Sequence, residues 1–178
     1  MALRLAAIAD VDRATPTDPP RSEPVAGPAA VASLLARGGS ALSAGDVDGW
    51  RAVFGATATE LTDVHLRHHA RKLLAQIALG STGTPARLGP VYSAVAGALL
   101  AVLEDDPREP VLLNLAGVAF YELGAIAAAE PLFAAALRLD GALTHASGNL
   151  VECRRRRRAG LSAPPRAVGP AVLAALRT

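Results

Sequence analysis

The stretch from Pro110 to Leu143, PVLLNLAGVAFYELGAIAAAEPLFAAALRLDGAL, admits few folds. Leu112, Leu115, Ala116, Ala119, Phe120 and Leu123 recur at the three-and-four spacing of an apolar helical face, which predicts a helix from Val111 to Leu123. Gly124 follows where a glycine ends a helix. A second helix is expected from Ile126 to Leu139, burying Ala129, Leu132, Phe133, Ala136 and Leu137, with Asp140-Gly141 closing it. The interior of such a chain must be built from Ala, Leu and Val, because 51% of the residues are hydrophobic and only 3% aromatic. Ala is the best helix former and a poor strand former, so the composition favours close-packed helices over a sheet.

This block resembles a tetratricopeptide repeat, a helix-turn-helix unit of about 34 residues. Gly117, Phe120, Gly124, Ala129, Phe133 and Ala136 stand where the family has its small, aromatic and turn residues. Leu113 stands where a tryptophan is usual and Gly141 where a proline is usual. Degraded matches cover about 31–58 and 90–107, and a partial one covers 144–158. Aligning Gly45 with Gly124 sets Gly38, Ala41, Trp50 and Phe54 against Gly117, Phe120, Ala129 and Phe133. Trp50 replaces a small residue there, so that pair is expected to be spread apart or capped differently. Val95, Leu99 and Val102 fit only the second helix of a unit. The resemblance implies an all-α fold, a short right-handed α-α superhelix of helical hairpins with about six to seven helices and a terminal tail.

Three regions are expected. Residues 1–28 carry Pro16, Pro19, Pro20, Pro24 and Pro28 among polar residues and read as disordered. Residues 29–159 form the helical domain, with further helices at Glu60–Leu79, Pro90–Leu103 and Ala142–Arg157, the first two joined by a ten-residue connection from Gly80 to Gly89. Residues 160–178 form a Pro/Gly linker with a short helix from Ala171. The lone cysteine, Cys153, excludes an internal disulfide and suits a reducing cytoplasm. No membrane span is expected, since no apolar run approaches the roughly 20 residues required. The Arg and Ala bias matches a high-GC bacterial genome.

Few residues suggest chemistry. His65 and His69 lie one turn apart as a zinc half-site to which Asp63 or Glu60 would add a carboxylate, but Arg67, Arg71 and Lys72 oppose a cation. GSTGT at 80–84 lacks the ending of a phosphate-binding loop and follows a helix. Cys153 falls on the Leu150 stripe, which argues for burial. No catalytic constellation, metal or cofactor is expected.

Charge is unevenly placed. Eleven basic and sixteen acidic residues precede Arg154, and from Arg154 onward there are seven basic and no acidic residues. Arg154, Arg155, Arg156, Arg157 and Arg158 cover every side of a helical turn, so the packed array should end near Cys153; the run is also an anion-binding candidate. The acidic body and the lack of a stacking platform argue against nucleic acid as a partner.

In the family the first helix of each pair lines a concave groove. That resemblance assigns Val111, Asn114, Val118, Tyr121 and Glu122 to a partner-binding surface, with His145, Asn149, Glu152 and Arg155 from the next helix. Asn114 would hold a peptide backbone, Tyr121 pack on a side chain and Arg155 meet a carboxylate. The function expected is a non-catalytic scaffold for a peptide or domain, and a homo-oligomer is compatible with such a surface. Two alternatives stand beside it: the amino-terminal accessory module of a bacterial enzyme such as a glycosyltransferase, and anion or nucleic-acid binding by the arginines.

Overall fold

The structure, a computed structural model, describes residues 27–161. The Pro-rich segment up to Ala26 and the helix expected from Ala171 lie outside the described residues. Among the described residues there are seven helices and no strand: α1 (Gly27–Ala44), α2 (Val47–Glu60), α3 (Val64–Leu79), α4 (Pro85–Asp105), α5 (Pro110–Glu122), α6 (Ile126–Leu139) and α7 (Thr144–Arg158). Sequential helices pack as neighbours, and α3 also contacts α1 and α5 while α2 contacts α4.

Local chemistry sets the ends. Asp46 and Asp63 cap α2 and α3, their carboxylates accepting the Gly49 and Leu66 amides, each at 2.8 Å. Gly45, Gly124 and Gly160 adopt φ of 76°, 77° and 67°, a left-handed conformation that only glycine takes without strain. Each closes the preceding helix the same way: the amide one residue on bonds back to a carbonyl five residues earlier, Asp46 to Ala41, Ala125 to Phe120 and Leu161 to Arg156. Helices α1, α5 and α7 thus share one stop signal. Helix α3 ends instead at Gly80 with φ −79°.

Two predicted helices needed correction. The expected run from Glu60 to Leu79 is interrupted, because Glu60 ends α2 and Asp63 caps α3. Between them Leu61 is buried with Val31, Leu34 and Ala70, and Arg67 donates to the Leu61 and Thr62 carbonyls. Helix α4 begins at Pro85, not Pro90, so the connection is Gly80–Thr84. Pro90 is the sixth residue of α4 and Pro131 the sixth of α6. A proline leaves the carbonyl four residues earlier without a donor. Those carbonyls belong to Ala86 and Ala127, both exposed, so water can replace the missing bond.

The longer α4 also changes the expectation about membrane-length segments. Its 21 residues are long and apolar enough to cross a bilayer by length and composition. Its apolarity serves the core here: Val91, Tyr92, Ala94, Val95, Ala96, Leu99, Val102 and Leu103 are buried against the neighbouring helices.

Glycine contacts distinguish the hairpins. A Cβ on Gly117 would lie 2.6 Å from Phe133 Cε1, so the phenyl ring of α6 occupies the notch that the glycine leaves in α5. A Cβ on Gly38 would lie 2.5 Å from Leu74 Cδ2, so that notch in α1 is filled from α3 instead. Trp50 is fully buried and packs on Phe54 with ring centroids 5.3 Å apart.

Candidate functional site

The surface expected beside Asn114, Tyr121 and Arg155 is closed. Asn114, Val118, Tyr121, Glu122 and Asn149 are buried, while Val111, His145 and Glu152 are partly covered and Arg155 is exposed. Helix α7 lies against α5 and the polar positions satisfy each other across the joint. Asn149 donates to Asn114 Oδ1 at 2.9 Å, and the Tyr121 hydroxyl donates to Glu152 Oε1 at 3.1 Å. Asn114 and Tyr121 therefore have partners inside the chain, and the peptide contacts assigned to them are corrected on that ground. Val118, Tyr121, Phe133, Asn149 and Glu152 leave no room there for even a water molecule.

Glu122 is the outlier of this joint. Its Oε1 is buried without a hydrogen-bond partner. Burial pushes its pKa up to about 7, against a smaller opposing pull from Arg156. Tyr121 and Tyr92 are both raised to about 12, chiefly by burial.

The arginine run is largely engaged by the protein itself. Arg154 and Arg157 both pair with Glu130 of α6, and Arg155 pairs with Glu152 on its own helix. Arg156 lies 5.5 Å from the Tyr121 ring centroid. Glu130 is held below the usual carboxylate range, first by its Arg154 hydrogen bond. Arg154 and Arg157 thus link α7 to α6 through Glu130, while the Arg155 pair lies within α7. Cys153 is buried beneath the run, and its thiol donates to the Ile126 carbonyl at 3.5 Å.

An open groove lies at the other end of the array. It has a volume of about 1070 Å³ between α1, the α1–α2 turn, the end of α3 and the start of α4. Leu35, Val47, Ile77, Leu88 and Val91 supply apolar walls, and Ser40, Ser43, Ser81 and Thr82 supply hydroxyls. Arg87 reaches across to the Leu42 and Ser43 carbonyls at 3.3 and 3.4 Å, covering the free end of α1. The Gly45–Gly124 alignment relates this groove to the closed one. Asn114, Val118, Tyr121 and Glu122 correspond to Leu35, Gly39, Leu42 and Ser43, and all four of the latter line the open groove. The face expected on α5 is closed, and the face of α1 aligned with it borders the open groove. Nothing in the sequence said which of the two a neighbouring helix would cover.

The His65 and His69 pair stays exposed, and the carboxylates considered for it are in use: Asp63 as a helix cap and Glu60 against Arg37 at 2.6 Å. The histidine that gathers acids is His68, whose Nδ1 is 3.1 Å from Glu109 Oε1 and Nε2 is 3.8 Å from Asp106 Oδ2.

Among the described residues, fold and site define a small all-helical array with an open groove beside α1 and Glu130–arginine pairs at its other end. No family model, no curated protein and no solved structure matches the chain.

Proposed function

We propose that the chain is a non-catalytic scaffold of the tetratricopeptide-repeat type that docks a short peptide or a segment of another domain in the groove between α1 and α4. The observation that carries this reading is the register. Four of the five first-helix positions from which the family contacts its partners correspond, on α1, to residues that line the open groove. The matching stops at Gly45 and Gly124 and the filled notch at Gly117 support the repeat assignment. Apolar walls with a hydroxyl rim suit a peptide that buries one or two apolar side chains and bonds through its backbone.

Peptides selected from a random displayed library on the full chain test this. They are expected to lose at least about tenfold in affinity on Ile77→Glu or Ser43→Arg, a loss of about 1.4 kcal/mol or more. They should be indifferent to Val151→Glu on the exposed side of α7. Selected peptides that ignore the groove variants, or that respond to Val151→Glu instead, would overturn the assignment.

A further inference from the structure

We propose that His68, Asp106 and Glu109 bind a divalent transition-metal ion of the zinc type, which clamps the α4–α5 connection onto α3. One candidate ligand atom from each of the three side chains lies within 4.8 Å of the other two. His68 projects from α3, while Asp106 and Glu109 bracket the connection between α4 and α5.

That connection is held in shape by its own bonds. The Asp106 amide donates to the Val102 carbonyl at 3.0 Å, and the Arg108 amide donates to Asp106 Oδ1 at 3.3 Å. Asp106 Oδ2 is then the oxygen that faces the imidazole. The His68 side chain keeps 18% of its exposure, so the cluster is shielded without being sealed.

The ring itself presents the problem that an ion solves. A neutral imidazole has one N–H and one lone pair. His68 has a carboxylate at each nitrogen. An imidazolium donates to both carboxylates; on the neutral ring one carboxylate accepts the N–H and the other faces a lone pair, an unfavourable contact that a metal ion between that nitrogen and oxygen converts into two bonds. Zinc bonds to nitrogen and oxygen of about 2.0–2.2 Å place neighbouring ligand atoms of a tetrahedron about 3.3–3.6 Å apart. The 3.1 Å between His68 Nδ1 and Glu109 Oε1 is close to that spacing; Asp106 Oδ2 faces the other nitrogen, which cannot share the ion, so Asp106 must turn within the 4.8 Å cluster to complete the set.

Charge agrees. Two carboxylates around a neutral ring carry a formal −2, which a divalent ion cancels. Of the neighbouring cations on α3, Arg71 donates to Thr57 Oγ1 at 2.9 Å and Arg67 is engaged with the Leu61 and Thr62 carbonyls, which leaves Lys72, four residues beyond His68, as the α3 charge that opposes an ion. One imidazole and two carboxylates select zinc, cobalt or nickel over magnesium or calcium, and three protein ligands leave one position for water.

The test is calorimetric titration of the tag-free full chain with zinc chloride, with cobalt(II) as a spectroscopic probe. One equivalent is expected to bind, and the cobalt adduct should show the visible bands of a four-coordinate site. His68→Ala should weaken binding about 100-fold or more, Asp106→Asn should weaken it at least about tenfold, and the double variant His65→Ala/His69→Ala should leave it unchanged. Thermal melts in EDTA establish that the variants fold. Because Asp106 is the most exposed of the three, its variant keeps the test decisive if His68→Ala is unstable. Absence of binding to the native chain, equal binding by Asp106→Asn, or loss of binding in the His65/His69 variant would each overturn the proposal.

Discussion

Hairpins α1–α2 and α5–α6 end their first helices with the same glycine conformation and carry a notch glycine seven residues earlier. They nevertheless present opposite surfaces. On α5 the positions Asn114, Val118, Tyr121 and Glu122 are buried beneath α7. On α1 the corresponding Leu35, Gly39, Leu42 and Ser43 face a groove. One helical register thus yields a core or a cleft according to where the next helix lies against it: α3 packs on α1 yet leaves these positions bordering the groove. The notches differ in the same sense: Phe133 locks α5 to its own partner, while Leu74 ties α1 to the next pair.

The largest effect that would probe this contrast is expected from Phe133→Ala. The ring is 1% exposed and fills the Gly117 notch, so its loss should cost about 3–5 kcal/mol in denaturant unfolding. Phe54→Ala, at the matching position of α2, should cost less, because Phe54 borders an open cleft of about 480 Å³ into which neighbours can relax. An equal or larger loss at Phe54 would break the distinction.

Next comes the buried acid. The pKa of Glu122 is raised from 4.5 to about 7 in the folded chain, so the folded state holds a proton that the unfolded state has released across that window. Stability should therefore fall as pH rises from about 4.5 to about 7 and level off above it. Glu122→Gln should remove this dependence and stabilise the chain at pH 8 by up to about 3 kcal/mol, with little change near pH 4. Ser43→Glu puts a carboxylate at the matching open position of α1 and should introduce no such window. Unfolding curves from pH 4 to 8 check both.

The glycines give the finest comparison. Gly117→Ala drives a methyl into a rigid buried ring and should cost about 1–3 kcal/mol. Gly38→Ala meets the far end of a leucine and gains helix propensity worth up to about 1 kcal/mol, so its net cost should be the smaller. Equal costs in thermal melts would mean that the two notches are equally tight.

The all-helical class and the ends of α6 were legible because glycine stops and apolar spacing act within a few residues. The break at Glu60–Asp63 was obscured: Leu61 and Leu66 continue the apolar pattern across it, and Asp63 signals a cap only once its side chain is seen on the Leu66 amide. Pro90 was misleading because proline is tolerated near a helix start when the carbonyl it orphans reaches water. The site depended on tertiary facts: which helix covers which face, and how His68 meets acids some forty residues away in the chain.

Cys153, the one thiol of the protein, is fully covered where α7 meets α6, and burial is the chief influence raising its pKa. A thiol-labelling reagent can reach it only when the last helix lifts away. Its alkylation rate is therefore a built-in clock for the fraying of that end. Because the Glu130 pairs with Arg154 and Arg157 span the same seam, added salt should make the clock run faster.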